Sequence, residues 1–212
     1  MENRMNVLML NGSPRTNGNI ALAFQEMEQV FRENGIGVEN IQLGKQVIRG
    51  CIACESCRKT HKCVFDDIVN KLAEKFEAAD GLVIGSPVYF GSANGTLMSA
   101  LQRLFYSTSF DKSLKVGASV VSARRSGCTA TFDELNKFFT LANMPVATSQ
   151  YWNNIYGWEP GEGKADAEGR QVMRVLARNM VFLMKSIALG KQELIVPVPR
   201  SKGSGPTFSV KQ

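Results

Sequence analysis

Residues Gly81–Gly85 read GLVIG, an apolar run with no polar face along its length. A strand that buries one face alternates apolar with polar, so this run predicts a parallel strand covered on both sides. The rest of the chain supplies the cover. Met5–Leu10 is a second short apolar run, ending in Asn11-Gly12-Ser13-Pro14, and reads as a buried strand entering a loop. From about Asn19 to Asn34, Ala23, Met27, Val30 and Phe31 recur at helical spacing, and Gly35 closes that helix. Val38–Leu43 reads as a second strand. Asp66-Asp67 opens a helix at its positive end, with Ile68, Leu72, Phe76 and Ala79 as the apolar stripe. A helix follows the GLVIG strand over about Thr96 to Tyr106. Val116–Val121 is a fourth strand, with a helix through Phe132, Leu135 and Phe139 behind it. Pro145–Thr148 is the expected fifth strand, and Val172, Val175, Leu176, Met180, Leu183 and Ile187 mark a long last helix. Five strands alternating with five helices predict an α/β doubly wound sheet with right-handed crossovers. One domain is expected over 1–192, with a cysteine-rich loop at 47–65 and an irregular tail at 193–212.

Composition excludes several classes. The 212 residues are 44% hydrophobic and 21% charged, the balance of an ordinary globular protein. No apolar run has the length of a membrane span. The opening MENRMNVLMLNGSPR has neither a basic lead nor a small-residue cleavage site, so a cytoplasmic protein is expected. Lys and Arg number 25 against 19 Asp and Glu, but the basic residues are scattered and no aromatic-basic stripe exists. Nucleic-acid binding is therefore not expected. Five cysteines, four of them within thirteen residues, point in a reducing compartment to metal or redox chemistry rather than disulfides.

Ligands of doubly wound sheets sit at the carboxyl ends of the strands, near the switch in strand order, and the distinctive loops follow strands one, three and four. Asn11 to Asn19 joins a strand to a helix start and is rich in small, hydroxyl and amide side chains, which suits an anion. It carries neither the Gly-Lys-Ser/Thr of a P-loop nor G-x-G-x-x-G, and an ordinary Gly/Asn turn is the competing reading. Together GSPRTNGN, GSPVYFGS and SARRSG resemble the loops of the flavodoxin-like NADPH-dependent FMN reductase superfamily, and the cysteine loop resembles its iron–sulfur flavoprotein branch. The resemblance runs from Met5 to about Ile187 and rests on the joint spacing of the loops.

The resemblance implies a five-stranded parallel sheet of order 2-1-3-4-5 in three α/β/α layers, with FMN across the ends of strands one, three and four. Ser13, Arg15, Thr16, Asn17, Gly18 and Asn19 would hold the phosphate. Ile20 stands where relatives often carry a hydroxyl, so one contact is missing. Pro87, Val88, Tyr89, Phe90, Gly91 and Ser92 would face the flavin ring, although Tyr89 and Phe90 also read as core aromatics. Ala123, Arg124 and Gly127 would approach its pyrimidine edge, with Arg124 and Arg125 alternatively gripping the 2′-phosphate of NADPH or lying in solvent. Flavin N5 carries the hydride chemistry and needs no acid–base pair, in keeping with a single histidine.

Cys51-x2-Cys54-x2-Cys57-x5-Cys63 presents four thiolates on one short stretch, the ligand set of a [4Fe–4S] centre. Structural zinc prefers two well-separated pairs, and free or redox-active thiols remain a third reading. His61 reads as solvent-facing and Cys128 as a buried thiol. With a cluster, FMN would couple a two-electron to a one-electron partner, and Arg58, Lys59 and Lys62 would dock an acidic, ferredoxin-like carrier. The competing functions are a cluster-free NAD(P)H-dependent FMN or quinone reductase, a non-enzymatic flavin-binding electron carrier, and a zinc-stabilised interaction protein. The aromatic stretch Tyr151 to Trp158 covers the flavin, packs on another subunit or packs locally. A homodimer or homotetramer is expected from the resemblance.

Overall fold

The computed structural model describes residues 4–193. Five parallel strands, β1 (Asn6–Asn11), β2 (Gly37–Gln42), β3 (Gly81–Pro87), β4 (Val116–Ala123) and β5 (Asn154–Tyr156), form one sheet of order β2-β1-β3-β4-β5. The helices are α1 (Asn19–Glu33), α2 (Cys57–Thr60), α3 (Ile68–Ala78), α4 (Gly95–Ser107), α5 (Cys128–Leu141) and α6 (Ala167–Glu193), with a 3-10 turn at Glu162–Ala165. The one-turn α2 inside the cysteine loop lies outside the helices expected from periodicity. The irregular tail expected at 193–212 lies outside the described residues, except that Glu193 is the last residue of α6. Among the described residues no helix is long and apolar enough to cross a membrane.

Strand alternation sorts the core into two layers. Val7 and Met9 of β1, Val83 of β3, and Val116, Ala118 and Val120 of β4 pack with α1 and α6. Their neighbours Leu8, Leu10, Leu82, Ile84 and Val121 point the other way, into α3, α4 and α5. Both faces of β3 and β4 are covered, which is why the GLVIG run has no polar side. Gly35 takes φ +77 behind α1, the left-handed conformation that lets the chain leave the helix. Asp67 caps α3, its carboxylate accepting from Val69 N at 3.0 Å.

The fifth strand corrects the sequence-based expectation. Pro145–Thr148 makes only one isolated bridge, Gly117 to Val146, with Gly117 N donating to Pro145 O and Ala147 N to Gly117 O, each at 2.8 Å. The chain then leaves the sheet and returns at Asn154–Tyr156, where Val121, Ser122 and Ala123 are its partners. The place beside β4 is thus filled by two short pieces. A proline contributes a carbonyl but no N–H to a ladder, and three residues are too few for a visible alternation. Where the chain leaves the sheet it is tied to α6: Ser149 Oγ donates to Val172 O, and Asn179 Nδ2 to Thr148 O, both at 2.7 Å.

Helices α1 and α6 are joined by charge as well as by apolar contact. Glu26 accepts from Arg170 Nε at 2.6 Å and Arg174 Nη1 at 2.5 Å. Burial opposes ionisation of Glu26, yet the two guanidinium donors hold its carboxyl below the ordinary 4.5. The stabilisation is therefore present above that ordinary value and is lost as pH falls through the lowered one. Glu26→Gln is expected to cost about 1–2 kcal/mol at neutral pH, screened because the arginines are partly exposed. Urea unfolding at about pH 7 and about pH 3 should show the wild-type advantage shrinking at the lower pH.

Candidate functional site

Parallel pairing brings the carboxyl ends of β1, β3 and β4 to one edge, and backbone hydrogen bonding continues past them. Gly12 N donates to Gly85 O at 2.8 Å, Val88 N to Ser122 O at 2.8 Å, and Gly157 N to Ala123 O at 3.0 Å. The loops after these strands are stitched together, and between them lies a cleft of about 580 Å³.

Most of the sequence-predicted residues meet there. Ser13, Arg15, Gly18 and Asn19 come from the first loop and 87–91 from the second, with Ala123, Arg124 and Gly127 from the third. Thr16, Asn17 and Ser92 do not line the cleft; Thr16 and Asn17 are exposed. Ile20, Ser122, Arg125, Ser126, Gly157 and Trp158 line it in addition to the expected residues. Ser122 and Ser126 flank the SARRSG arginines, so loop position alone indicates them. Gly157 and Trp158 arrive from 30 residues further on, from the end of the aromatic stretch Tyr151 to Trp158 that the sequence offered as a cover for the ligand.

The first loop exposes the start of a helix. Gly18 is the N-cap of α1, with no side-chain cap and no acidic residue in the first turn. The leading amides of a helix lack intrahelical acceptors, so this uncapped end presents N–H groups and a positive dipole to an anion. Ser13 shapes the loop, its Oγ accepting from Arg15 N at 3.1 Å. Gly44 packs so closely behind it that a Cβ there would lie 2.2 Å from the Ser13 carbonyl. Two side chains expected to grip phosphate are engaged otherwise. Asn19 Oδ1 accepts from Gly163 N at 3.1 Å, and its Nδ2 donates to Glu159 O at 3.3 Å. Arg15 Nη1 donates to Trp158 O at 2.6 Å. Both therefore fasten the 157–163 segment across the cleft mouth. Arg124 lies over the Trp158 ring at 5.4 Å, closing the same side. The lining holds Arg15, Arg124 and Arg125 and no carboxylate, an electrostatic setting for an anionic ligand.

The second loop is a tight turn. Tyr89 and Ser92 exchange backbone hydrogen bonds of 2.9 and 3.0 Å, with φ +52 at Phe90 and +78 at Gly91. Positive φ at both central positions defines a type I′ turn, and it turns Phe90 fully into solvent at the cleft rim. The core-aromatic reading of Tyr89 and Phe90 is thereby overturned, since Tyr89 is exposed as well. A bulky residue in this conformation is strained, and Glu134 of α5 holds it there. Its carboxylate accepts from Ser92 Oγ at 2.8 Å and from Ala93 N at 2.8 Å. Gly127, at φ +89, lets the third loop approach: a Cβ there would meet Val88 Cγ1 at 2.8 Å and Gly91 Cα at 3.1 Å. Cys128 is buried one residue on, and burial pushes its thiol up.

Cys51, Cys54, Cys57 and Cys63 are free thiols around one small pocket, the first two exposed and the others half-buried. Ala53 and Glu55 have positive φ, bending the chain between successive cysteines. Ala53 N donates to Cys51 Sγ at 3.4 Å. Among the described residues no three His, Cys, Asp or Glu side chains converge to hold a metal ion. His61 is exposed. Of the basic residues expected to dock a carrier, Arg58 faces Glu55 at 3.0 Å and Lys62 faces Glu74 at 3.9 Å, all exposed.

Comparison with known proteins agrees with this geometry. Residues 5–159 match the family model of NADPH-dependent FMN reductase. An iron–sulfur flavoprotein of Methanocaldococcus jannaschii is 32% identical over 191 residues, covering 86% of this chain and 99% of the relative. An iron–sulfur flavoprotein of Methanosarcina thermophila is 27% identical over 187 residues, with 86% and 97% covered. In fold the chain is similar to RosB with its bound intermediate 8-demethyl-8-formylriboflavin-5′-phosphate, at a TM-score of 0.69 and 17% identity over 98% of this chain and 95% of RosB. A flavodoxin from the Archaea superposes at 0.55 with 11% identity, covering 87% and 99%.

The Glu134 contacts make the turn testable without any ligand. Glu134→Ala removes the acceptor of the Ala93 amide, and exchange of that amide should speed up about tenfold for each ~1.4 kcal/mol of protection lost. Hydrogen-exchange NMR of the amides at Ala93 and Ser92, compared with those of β3, checks it: unchanged Ala93 exchange means that the turn holds itself.

Proposed function

The chain belongs to the NADPH-dependent FMN reductase family, in its iron–sulfur flavoprotein branch, and on that premise we propose that it is an FMN-dependent oxidoreductase that passes electrons between FMN in the β1/β3/β4 cleft and an iron–sulfur cluster on the cysteine loop. The observation that carries the flavin half is the cleft itself. It lies at the switch point, where order reverses between β1 and β3. It joins an uncapped helix start to a carboxylate-free lining, and its volume is within the range of small-molecule sites. These features fit a planar ligand with an anionic phosphate.

In this reading the α1 amides and the loop around Ser13 bind the phosphate. The 87–91 turn would support the ring, and Arg124 would offset the negative charge of the reduced flavin. Arg15 and Asn19 act indirectly, by holding the 157–163 segment against the cleft and excluding water. Arg124 and Arg125 also suit the 2′-phosphate of an NADPH co-substrate. FMN, when bound, supplies the exchange of a hydride or single electrons.

Cys51, Cys54, Cys57 and Cys63 would hold the cluster. Four free thiols on one loop around one pocket match it in number and donor chemistry, and it would supply one-electron transfer to an acidic, ferredoxin-like carrier. The exposure of Cys51 and Cys54 and the lack of a converged trio among the described residues favour a second reading, a cluster-free NAD(P)H-dependent flavin or quinone reductase. The family supports a small-molecule flavin or nicotinamide substrate for either. A homodimer or homotetramer in the cytoplasm remains part of the proposal.

Visible absorption of anaerobically purified protein, with iron and sulfide counted against FMN, tests the choice. About four irons with one flavin per chain is the expected result. Flavin without iron selects the second reading, and protein that cannot be loaded with FMN overturns both. For the flavin half, Gly127→Ala forces a side chain into φ +89 and against Val88. It should weaken FMN binding about tenfold or more, measured by quenching of flavin fluorescence.

A further inference from the structure

Arg103 is the largest fully buried side chain in the molecule's described core, 1% exposed on α4 among Leu97, Ala100, Leu101 and Leu104. A buried guanidinium is costly, and an apolar residue of similar volume would fill the place at less cost. The charge is met by Asp67, whose carboxylate accepts from Nη1 at 2.6 Å and Nη2 at 2.9 Å. That pairing uses only one edge of the fork. Of the three N–H groups left, Nε donates to Cys63 Sγ at 3.2 Å and Nη1 to Arg49 O at 3.3 Å. The ring of Phe65 lies 5.0 Å from the guanidinium.

Cys63 is held from a second direction. Asn70 Oδ1 accepts from Cys63 N at 2.9 Å, and its Nδ2 donates to the carbonyls of Cys63 and Phe65, each at 3.1 Å. Cys63 thus has its backbone clamped by α3 and its sulfur addressed by α4. Cys51 and Cys54 sit on exposed loop. Cys63 is thus hydrogen-bonded by side chains of both α3 and α4, and Cys57 is half-buried.

We propose that Arg103 is a positioning residue for the Cys63 thiolate, fixing it by an N–H···S bond and raising the reduction potential of the cluster that Cys63 ligates. The inference rests on the cluster reading above. Hydrogen bonds to ligand sulfur stabilise the more negative, reduced state and so raise the potential. Reduction adds one electron, supplied in the test by dithionite, and neither forms nor breaks a bond. Asp67 acts in the opposite sense, since its negative charge near the cluster disfavours the added electron.

Arg103→Lys keeps a cation for Asp67 but cannot serve both Asp67 and the sulfur with a planar fork. Asp67→Asn keeps an oxygen to cap α3 and leaves Nε on Cys63. Holoprotein of each, purified anaerobically, is titrated with dithionite through redox mediators, and iron and sulfide are counted alongside. With iron retained, Arg103→Lys should shift the reduction equilibrium about tenfold toward the oxidised form, ~59 mV for a one-electron couple, and Asp67→Asn should shift it the other way. A purely structural role predicts melting changes without these opposed shifts. Equal potentials in Arg103→Lys and wild type overturn the inference; should that variant not fold, an unshifted or lowered potential in Asp67→Asn does so. Wild-type protein without iron and sulfide overturns the cluster reading instead.

Discussion

The cleft depends on backbone hydrogen bonds that run on after the strands have ended. Gly12 to Gly85, Val88 to Ser122 and Gly157 to Ala123 each tie the first residues of one loop to the end of a neighbouring strand. Loops freed at their strand ends would carry unpaired amides and carbonyls and would splay into water. Tied in this way they leave the sheet in register, and four segments far apart in sequence line one cavity. The ladder also explains the small residues there, because the second and third loops touch where Gly127 meets Val88 and Gly91.

Side chains around the cleft mostly hold backbone. Ser13 shapes its own loop, Glu134 pins the turn that carries Phe90, and Arg15 and Asn19 fasten the 157–163 segment. The cavity is left lined by a helix start, arginines and serines beside the apolar and aromatic side chains of Ile20, Val88, Tyr89 and Trp158. Such a lining suits an anionic planar ligand, and its side chains supply no carboxylate as a base. The cysteine loop is organised on the same plan: Arg103, Asp67 and Asn70 reach it from two helices and give one cysteine a rigid seat.

Periodicity in the sequence already determined the layers. GLVIG is apolar because β3 is covered on both faces, and the stripes of α1, α3 and α6 face the sheet as their spacing requires. The loops after β1, β3 and β4, and the crowded cysteines, were legible for the same reason: each is a local composition with a local meaning. The fifth strand was misplaced because Pro145–Thr148 has strand composition but pairs at only one point, while Asn154–Tyr156 is too short to announce itself.

Tertiary structure alone decided which polar side chains are tied into the frame. Asn19 and Arg15 look like phosphate ligands beside Gly18, and their hydrogen-bond partners lie 140 or more residues away. The sequence does not single out Arg103, and the docking of α4 places its guanidinium between Asp67 and Cys63. Periodicity and turn chemistry express energies set by near neighbours, so one reading of the chain recovers strands, helices and loops. A hydrogen-bond partner is chosen among all groups that folding brings within about 3 Å, and that choice exists only once the sheet has closed.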